Sequence, residues 1–202
     1  MAGILKVDQV QSDSNLAFNI AGSNVAFMNA TSLQMVGSNV SLAGTNVFTS
    51  GKLVTSAQPT GAVLQAVQTT TNSNITTGSN SFVASGLTLS ITPLSSSNKI
   101  LIMLNGGNYF NTADGGEAWT AMYRNIGGAG YSQLPAPYNQ ILDIAGAYGA
   151  ALRISHSIMV LDSPATTSSI TYQPYFATNG SGTAYFNANS PVLTFTLMEI
   201  AG

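Results

Sequence analysis

The sequence predicts an all-β chain in two parts. The first is an N-terminal run of short strands, forming an intertwined shaft or a β-prism within a homotrimer. The second is a C-terminal antiparallel β-sandwich or jelly-roll-like knob. Three observations lead there. From Asn15 to Asn98 the only ionisable side chain is Lys52, the chain between being Asn, Ser, Thr, Gly and Ala cut by short alternating apolar strips. A Gly-Ser/Thr-Asn-Val turn signal recurs three times in the first part. The second part holds many short β-prone runs separated by Gly and Pro, with little helical periodicity.

The lack of charge is the stronger constraint on assembly. Charged residues make up 6% of the 202, against roughly 25% in an ordinary soluble domain. Mixed charges normally keep a surface solvated and unattached, so this chain is expected to hide surface against other subunits. Disorder is excluded by the abundance of Val, Ile and Thr and a mean hydropathy of +0.22. The five Lys and Arg residues are scattered, which leaves no basic stripe for nucleic acid. With no cysteine there is neither a disulfide framework nor a thiolate metal site.

The opening, Met1-Ala-Gly-Ile-Leu-Lys6, lacks a basic region followed by an apolar one, so no signal peptide is expected. The longest aliphatic run, Ile100 to Leu104, falls far short of the ~20 residues that cross a bilayer, and no membrane association is expected.

Residues 1–56 read as the attachment and shaft part. Leu16, Phe18 and Ile20 alternate with small or polar residues; Gly22-Ser-Asn-Val25, Gly37-Ser-Asn-Val40 and Gly44-Thr-Asn-Val47 each open a further strip. Each strip is too short to shelter both faces, and an isolated hairpin is marginal in water. Three chains around one axis would bury Leu16, Phe18, Val25, Phe27, Leu33, Met35, Val40 and Leu42. Leu5 and Val7 join them as candidates for trimer locking and attachment.

Residues 57–202 read as the knob, entered through the turn Gln58-Pro-Thr-Gly61. Val63 to Val67, Leu87 to Ile91, Glu117 to Arg124, Leu152 to Leu161 and Ile170 to Phe176 are strand candidates. Lys99 to Leu104 reads as a strand buried on both faces and ended by Asn105-Gly-Gly-Asn108. With Leu193 to Ile200 it should form the centre of the knob. Tyr138 to Ala151 is the one stretch that admits a helix, although its glycines favour a loop.

Short signatures along the chain resemble a known family. Ile4-Leu-Lys-Val-Asp-Gln-Val-Gln-Ser-Asp-Ser14 resembles the opening of fibre-like virion proteins of cyanophages and other aquatic tailed phages. Val63-Leu-Gln-Ala-Val-Gln68, Ser90-Ile-Thr-Pro-Leu-Ser-Ser-Ser-Asn-Lys-Ile-Leu-Ile102 and Leu197-Met-Glu-Ile200 are similar to their C-terminal knob module. The resemblance implies a β-rich homotrimeric virion component, seated on another virion protein by its N-terminal part with its head exposed. Tail or collar fibre and capsid-decorating spike both fit.

No catalytic motif emerges. His156 is the only histidine, so a zinc site or a Cys/His dyad has no partner residues, and no Gly-x-Ser-x-Gly elbow accompanies it. Asp114 and Glu117 flank Gly115-Gly116 but supply too few carboxylates for calcium. Nothing in the spacing of Asp114, Glu117, Asp143, Asp162 and Glu199 argues for a glycosidase pair. Gly106-Gly107 and Gly127-Gly-Ala-Gly130 lack the residues of a phosphate cradle. Four Asn-x-Ser/Thr sequons, at Asn29, Asn39, Asn74 and Asn179, are expected by chance in such a composition.

The aromatics of the second part are more suggestive, since Tyr and Trp join an apolar body to a polar tip. Tyr109, Phe110, Tyr131 and Tyr138, on loops from Asn105 to Gly116 and Gly127 to Gln140, are candidates for a receptor patch. The reading is a non-enzymatic virion component without cofactor or metal, the alternative being an adhesin that takes host surface glycan through knob loops.

Overall fold

The structure is a computed structural model; it describes residues 58–135 and 153–202, apart from the side chain of His156, and elsewhere the backbone of the strands named below. Every helix or strand element among the described residues is a strand, and every strand pair is antiparallel. The chain divides into two compact units, Met1–Gln58 and Pro59–Gly202.

In the first unit β1 (Leu16–Ile20), β2 (Ser23–Met28) and β3 (Leu33–Met35) form one sheet, and β4 (Asn39–Leu42), β5 (Thr45–Thr49) and β6 (Lys52–Leu53) another. Ile20 faces Ser23 and Leu42 faces Thr45, so two residues separate the paired ends, the second being Gly22 or Gly44. Each Gly-Ser/Thr-Asn-Val signal leads into a strand, as its turn chemistry implies. Leu16 faces Met28, which faces Leu33 in turn, while Phe18 faces Ala26 and Phe27 faces Ala17. Directly opposed residues share a face, so Leu16, Phe18 and Leu33 occupy positions of one face and Phe27 a position of the other, while Val25 falls at a register shift with no residue opposed to it. Val40 faces Phe48 on β5. Burial of these side chains, like Leu5 and Val7 altogether, lies outside the described residues.

The second unit is a sandwich of two sheets. The first runs β7 (Val63–Thr71), β18 (Leu193–Ile200), β11 (Lys99–Asn111), β17 (Ala184–Phe186) and β8 (Ile75–Thr77), with β15 (Ile154–Asp162) also on β11. The second runs β10 (Leu89–Ile91), β16 (Ile170–Thr178), β12 (Glu117–Ile126) and β13 (Tyr131–Gln133). To this are added β9 (Val83–Ala84) on β16 and β14 (Asn139–Asp143) on β12. The central position expected for Ile100 to Leu104 and Leu193 to Ile200 is the one observed. Ile100, Ile102 and Leu104 of β11 and Leu193, Phe195 and Leu197 of β18 meet Met122, Ile170, Tyr172 and Phe176 of the second sheet in one core. Full burial of such side chains stabilises by about 1.5–3 kcal/mol each.

Three expectations are corrected here. Lys99 to Leu104 is not buried on both faces: Ile100, Ile102 and Leu104 are buried, whereas Leu101 and Met103 between them are only half-buried. Asn105-Gly-Gly-Asn108 does not end the strand. Gly106 and Gly107 adopt φ of +89° and +74°, and β11 continues past them to Asn111 through a bulge. A side chain at Gly106 would place its Cβ 2.9 Å from the Val192 carbonyl oxygen, so the close approach of β18 requires glycine. Finally, Asn139–Asp143, within the stretch that admitted a helix or loop, is a strand completing the edge of β12.

Candidate functional site

Three of the signature segments meet at a single carboxylate. Glu199 on β18 is wholly buried. Its Oε1 accepts from Leu94 N at 2.7 Å and Asn98 Nδ2 at 2.6 Å, and its Oε2 accepts from Gln65 Nε2 at 2.5 Å. Gln65 also donates to the Thr92 carbonyl, and Asn98 Oδ1 accepts from Gly202 N at 3.1 Å. The knot ties the loop between β10 and β11 to the first and last strands of the unit. Its chemistry is that of a structural carboxyl group with satisfied acceptors.

A second polar centre lies inside the sandwich. Arg124 Nη1 donates to Asp162 Oδ1 and Oδ2 at 2.6 and 2.7 Å, and the Tyr172 hydroxyl donates to Asp162 Oδ2 at 2.8 Å. Asp162 is 6% exposed. The pocket beside it, lined by Leu134, Pro135, Val160 and Leu161 together with the ion pair, holds about 290 Å³, at the lower limit of small-molecule sites.

Burial pushes the Tyr172 hydroxyl far above the ordinary tyrosine range, aided by the Asp162 charge and hydrogen bond and opposed by Arg124. Burial alone does the same to Tyr109. A raised folded-state pKa means that stability is intact below the unfolded tyrosine pKa of about 10 and is lost as pH rises beyond it. Urea midpoints are therefore expected to stay level on this account up to about pH 10. Above it each of these tyrosines costs about 1.4 kcal/mol per pH unit. Tyr172→Phe should flatten the alkaline limb.

Of the other titratable candidates, Glu117 is engaged structurally. Glu117 Oε2 accepts from Trp119 Nε1 at 2.6 Å, and the register sets Glu117 opposite Asp143, a juxtaposition that the sequence spacing does not reveal. Asn179 Nδ2 donates to the Gly115 carbonyl, fastening the turn that follows Asp114. His156 lies on β15 opposite Gly106, in the strand position expected of it. No group of three or more His, Asp or Glu among the described residues is placed to hold a metal ion.

The four receptor-patch candidates separate. Tyr109 is 1% exposed and packs edge-on against Phe186 at 5.3 Å, so it belongs to the core and has no face to offer a ligand. Phe110 is half-buried, with Tyr185 at 5.4 Å and the Arg153 guanidinium 4.9 Å above its ring. Both lie on β11 and not on a loop. Tyr131 is exposed and joins a ring cluster with Tyr175, Tyr123 and Phe82. Tyr138 lies outside the described residues.

A further surface feature is an apolar patch that the sequence pattern does not announce. On the outer face of the first sheet Leu161, Leu101, Met198 and Ala66 form one cross-strand row, and Met159 and Met103 begin the next. Ile200 and Val63 extend the patch. Met159, Leu161 and Val63 are 70%, 53% and 57% exposed. Lys99 is the only charged residue among these positions; the second row turns polar at Thr196 and Gln68, and the third is polar at Ser157, Asn105, Thr194 and Thr70.

No family model matches the chain, and no curated protein matches it in sequence. It is similar in structure to the infectious bursal disease virus Gx strain, at 14% identity and a TM-score of 0.34 over 95% of this chain and 50% of that one. The Gt strain of the same virus gives 12% and 0.30 over 88% and 47%. The VP2 subviral particle gives 14% and 0.29 over 88% and 46%. The chain spans about half the length of each of these proteins. Among the described residues no helix is long and apolar enough to cross a membrane.

Proposed function

We propose that the protein is a non-enzymatic structural component of a tailed-phage virion, a homotrimeric fibre or spike. Residues 1–56 seat it on another virion protein, and residues 57–202 form the exposed knob. The observation that carries this reading is the apolar outer face of the β7-β18-β11-β15 sheet. Contiguous apolar surface of this kind marks an interaction site on a soluble protein, and this chain has little charge elsewhere with which to keep copies apart. Contact between knobs of neighbouring copies gives Met159, Leu161 and Val63 the cover that the single chain withholds.

The resemblance to phage fibre proteins gains support from Glu199, where three of the knob signatures interlock as parts of one fold. The non-enzymatic reading is supported by the carboxylates themselves, since Glu117, Asp162 and Glu199 are each committed to indole, guanidinium, hydroxyl or amide donors. The protein is made in the host cytoplasm and resides in the particle.

Quantitative mass spectrometry of purified particles tests the assignment. Copies on the order of tens or fewer per particle are expected for a tail or collar appendage, and on the order of hundreds for a capsid decoration. Absence from the particle overturns the reading. Light scattering of the purified chain is expected to give three times the monomer mass; a monomer would refute the trimer.

A further inference from the structure

Four aromatic rings gather on the outer face of the second sheet. Tyr123 and Tyr175 stack with centroids 3.9 Å apart and planes 23° from parallel. Tyr131 leans on Tyr175 at 5.9 Å, and Phe82 on Tyr123 at 6.3 Å. The register accounts for the gathering. Tyr123 faces Gln133 on one side and Gln173 on the other, Tyr131 faces Asn125, and Tyr175 faces Ala121 and Ala84. Intervening residues such as Met122, Tyr172 and Phe176 turn the other way, into the core. Small neighbours at Ala121, Ala84 and Ala177 leave the rings standing above the sheet.

The polar groups around the rings are neutral. The Tyr123 hydroxyl donates to Gln133 Oε1 at 3.2 Å. Gln133 Nε2 and the Tyr131 hydroxyl have no hydrogen-bond partner among the described residues. On β12 and β16 the positions of this face from Trp119 to Asn125 and from Thr171 to Ala177 carry no charge. Arg124 is turned inward to Asp162, and the Glu117 carboxylate is held by the Trp119 indole.

We infer that this cluster is a binding platform for neutral oligosaccharide. A pyranose offers one face of C–H groups and a rim of hydroxyls. The exposed ring of Tyr131, braced by Tyr175, covers the C–H face, while the Tyr131 hydroxyl and the Gln133 carboxamide donate to and accept from the rim. An acidic glycan or a nucleic acid would call for Arg or Lys on the face, and among the described residues there is none. The platform belongs to the opposite sheet from the apolar face assigned to self-contact, so it does not depend on the trimer.

The test applies the full chain to an array of immobilised neutral oligosaccharides, of hexoses and N-acetylhexosamines, beside sialylated, sulfated and uronic-acid oligosaccharides. Solution titration of the retained glycan follows the fluorescence of Trp119, the single tryptophan, on the same strand. Retention of neutral glycans is expected. Tyr131→Ala and Gln133→Ala should each weaken binding about tenfold or more, Tyr131→Phe less, and Phe110→Ala on the other sheet not at all. Tyr131 is exposed, so its variants should fold, which circular dichroism verifies. An array on which no neutral glycan is retained, retention of anionic glycans alone, or wild-type affinity in Tyr131→Ala overturns the inference.

Discussion

Glu199→Ala is expected to destabilise the Pro59–Gly202 unit by on the order of 3–5 kcal/mol, enough to consume much of the stability of a domain this size. The reason is asymmetry. A made hydrogen bond contributes modestly, but a buried donor stripped of its acceptor keeps its full desolvation cost of about 1–3 kcal/mol. Alanine would strand the buried Asn98 Nδ2 and take one acceptor each from Leu94 N and Gln65 Nε2, the latter keeping its bond to the Thr92 carbonyl. It would also free the loop between β10 and β11 and loosen the hold of Asn98 on Gly202. Glu199→Gln keeps the shape and one oxygen acceptor, and should fall between wild type and alanine. Urea titration followed by circular dichroism checks the series. An alanine variant within about 1 kcal/mol of wild type would show that the knot is not needed.

The two central strands were legible from different signals: Ile100 to Leu104 is a continuous apolar run, whereas Leu193, Phe195 and Leu197 alternate with threonines. What the pattern concealed is the bulge. Up to Leu104 the even-numbered residues of β11 are buried; beyond Gly106 the odd-numbered ones are, at Gly107, Tyr109 and Asn111. One extra residue exchanges the two faces of a strand. It turns Tyr109 into the core and Phe110 outward, which is why a receptor patch containing both could not survive. Glycine pairs signal turns more often than bulges, so the sequence favoured a strand end.

The polar centres were hidden for another reason. Arg124 and Asp162 are 38 positions apart, and Glu199 and Gln65 are 134 apart. No local spacing announces such partners. A hint existed in Leu197-Met-Glu-Ile200, since a lone carboxylate in a central strand demands donors if it faces inward. The ring cluster was legible in part. Tyr131 was named, but Tyr123 and Tyr175 come to stack only through the pairing of β12 with β16.

If the proposed trimer closes through this sheet face, Met159→Asp and Leu161→Asp are expected to shift it to monomer. In the single chain both side chains are more than half exposed, so a charge there meets water and the unit should fold with nearly unchanged stability, within about 0.5 kcal/mol. Against a second copy the same carboxylate is desolvated without a partner. That costs on the order of 3–5 kcal/mol at each contact, and a closed ring repeats the cost at every interface. Light scattering reads the mass and a urea melt of the monomer reads the fold. The comparison with Phe18→Asp and Phe27→Asp then divides the work between the units. If the knob variants dissociate while the strand variants remain associated, the outer face of the first sheet holds the assembly. If only Phe18→Asp and Phe27→Asp dissociate, the N-terminal strips do so, and the apolar sheet face must be assigned to a different virion protein.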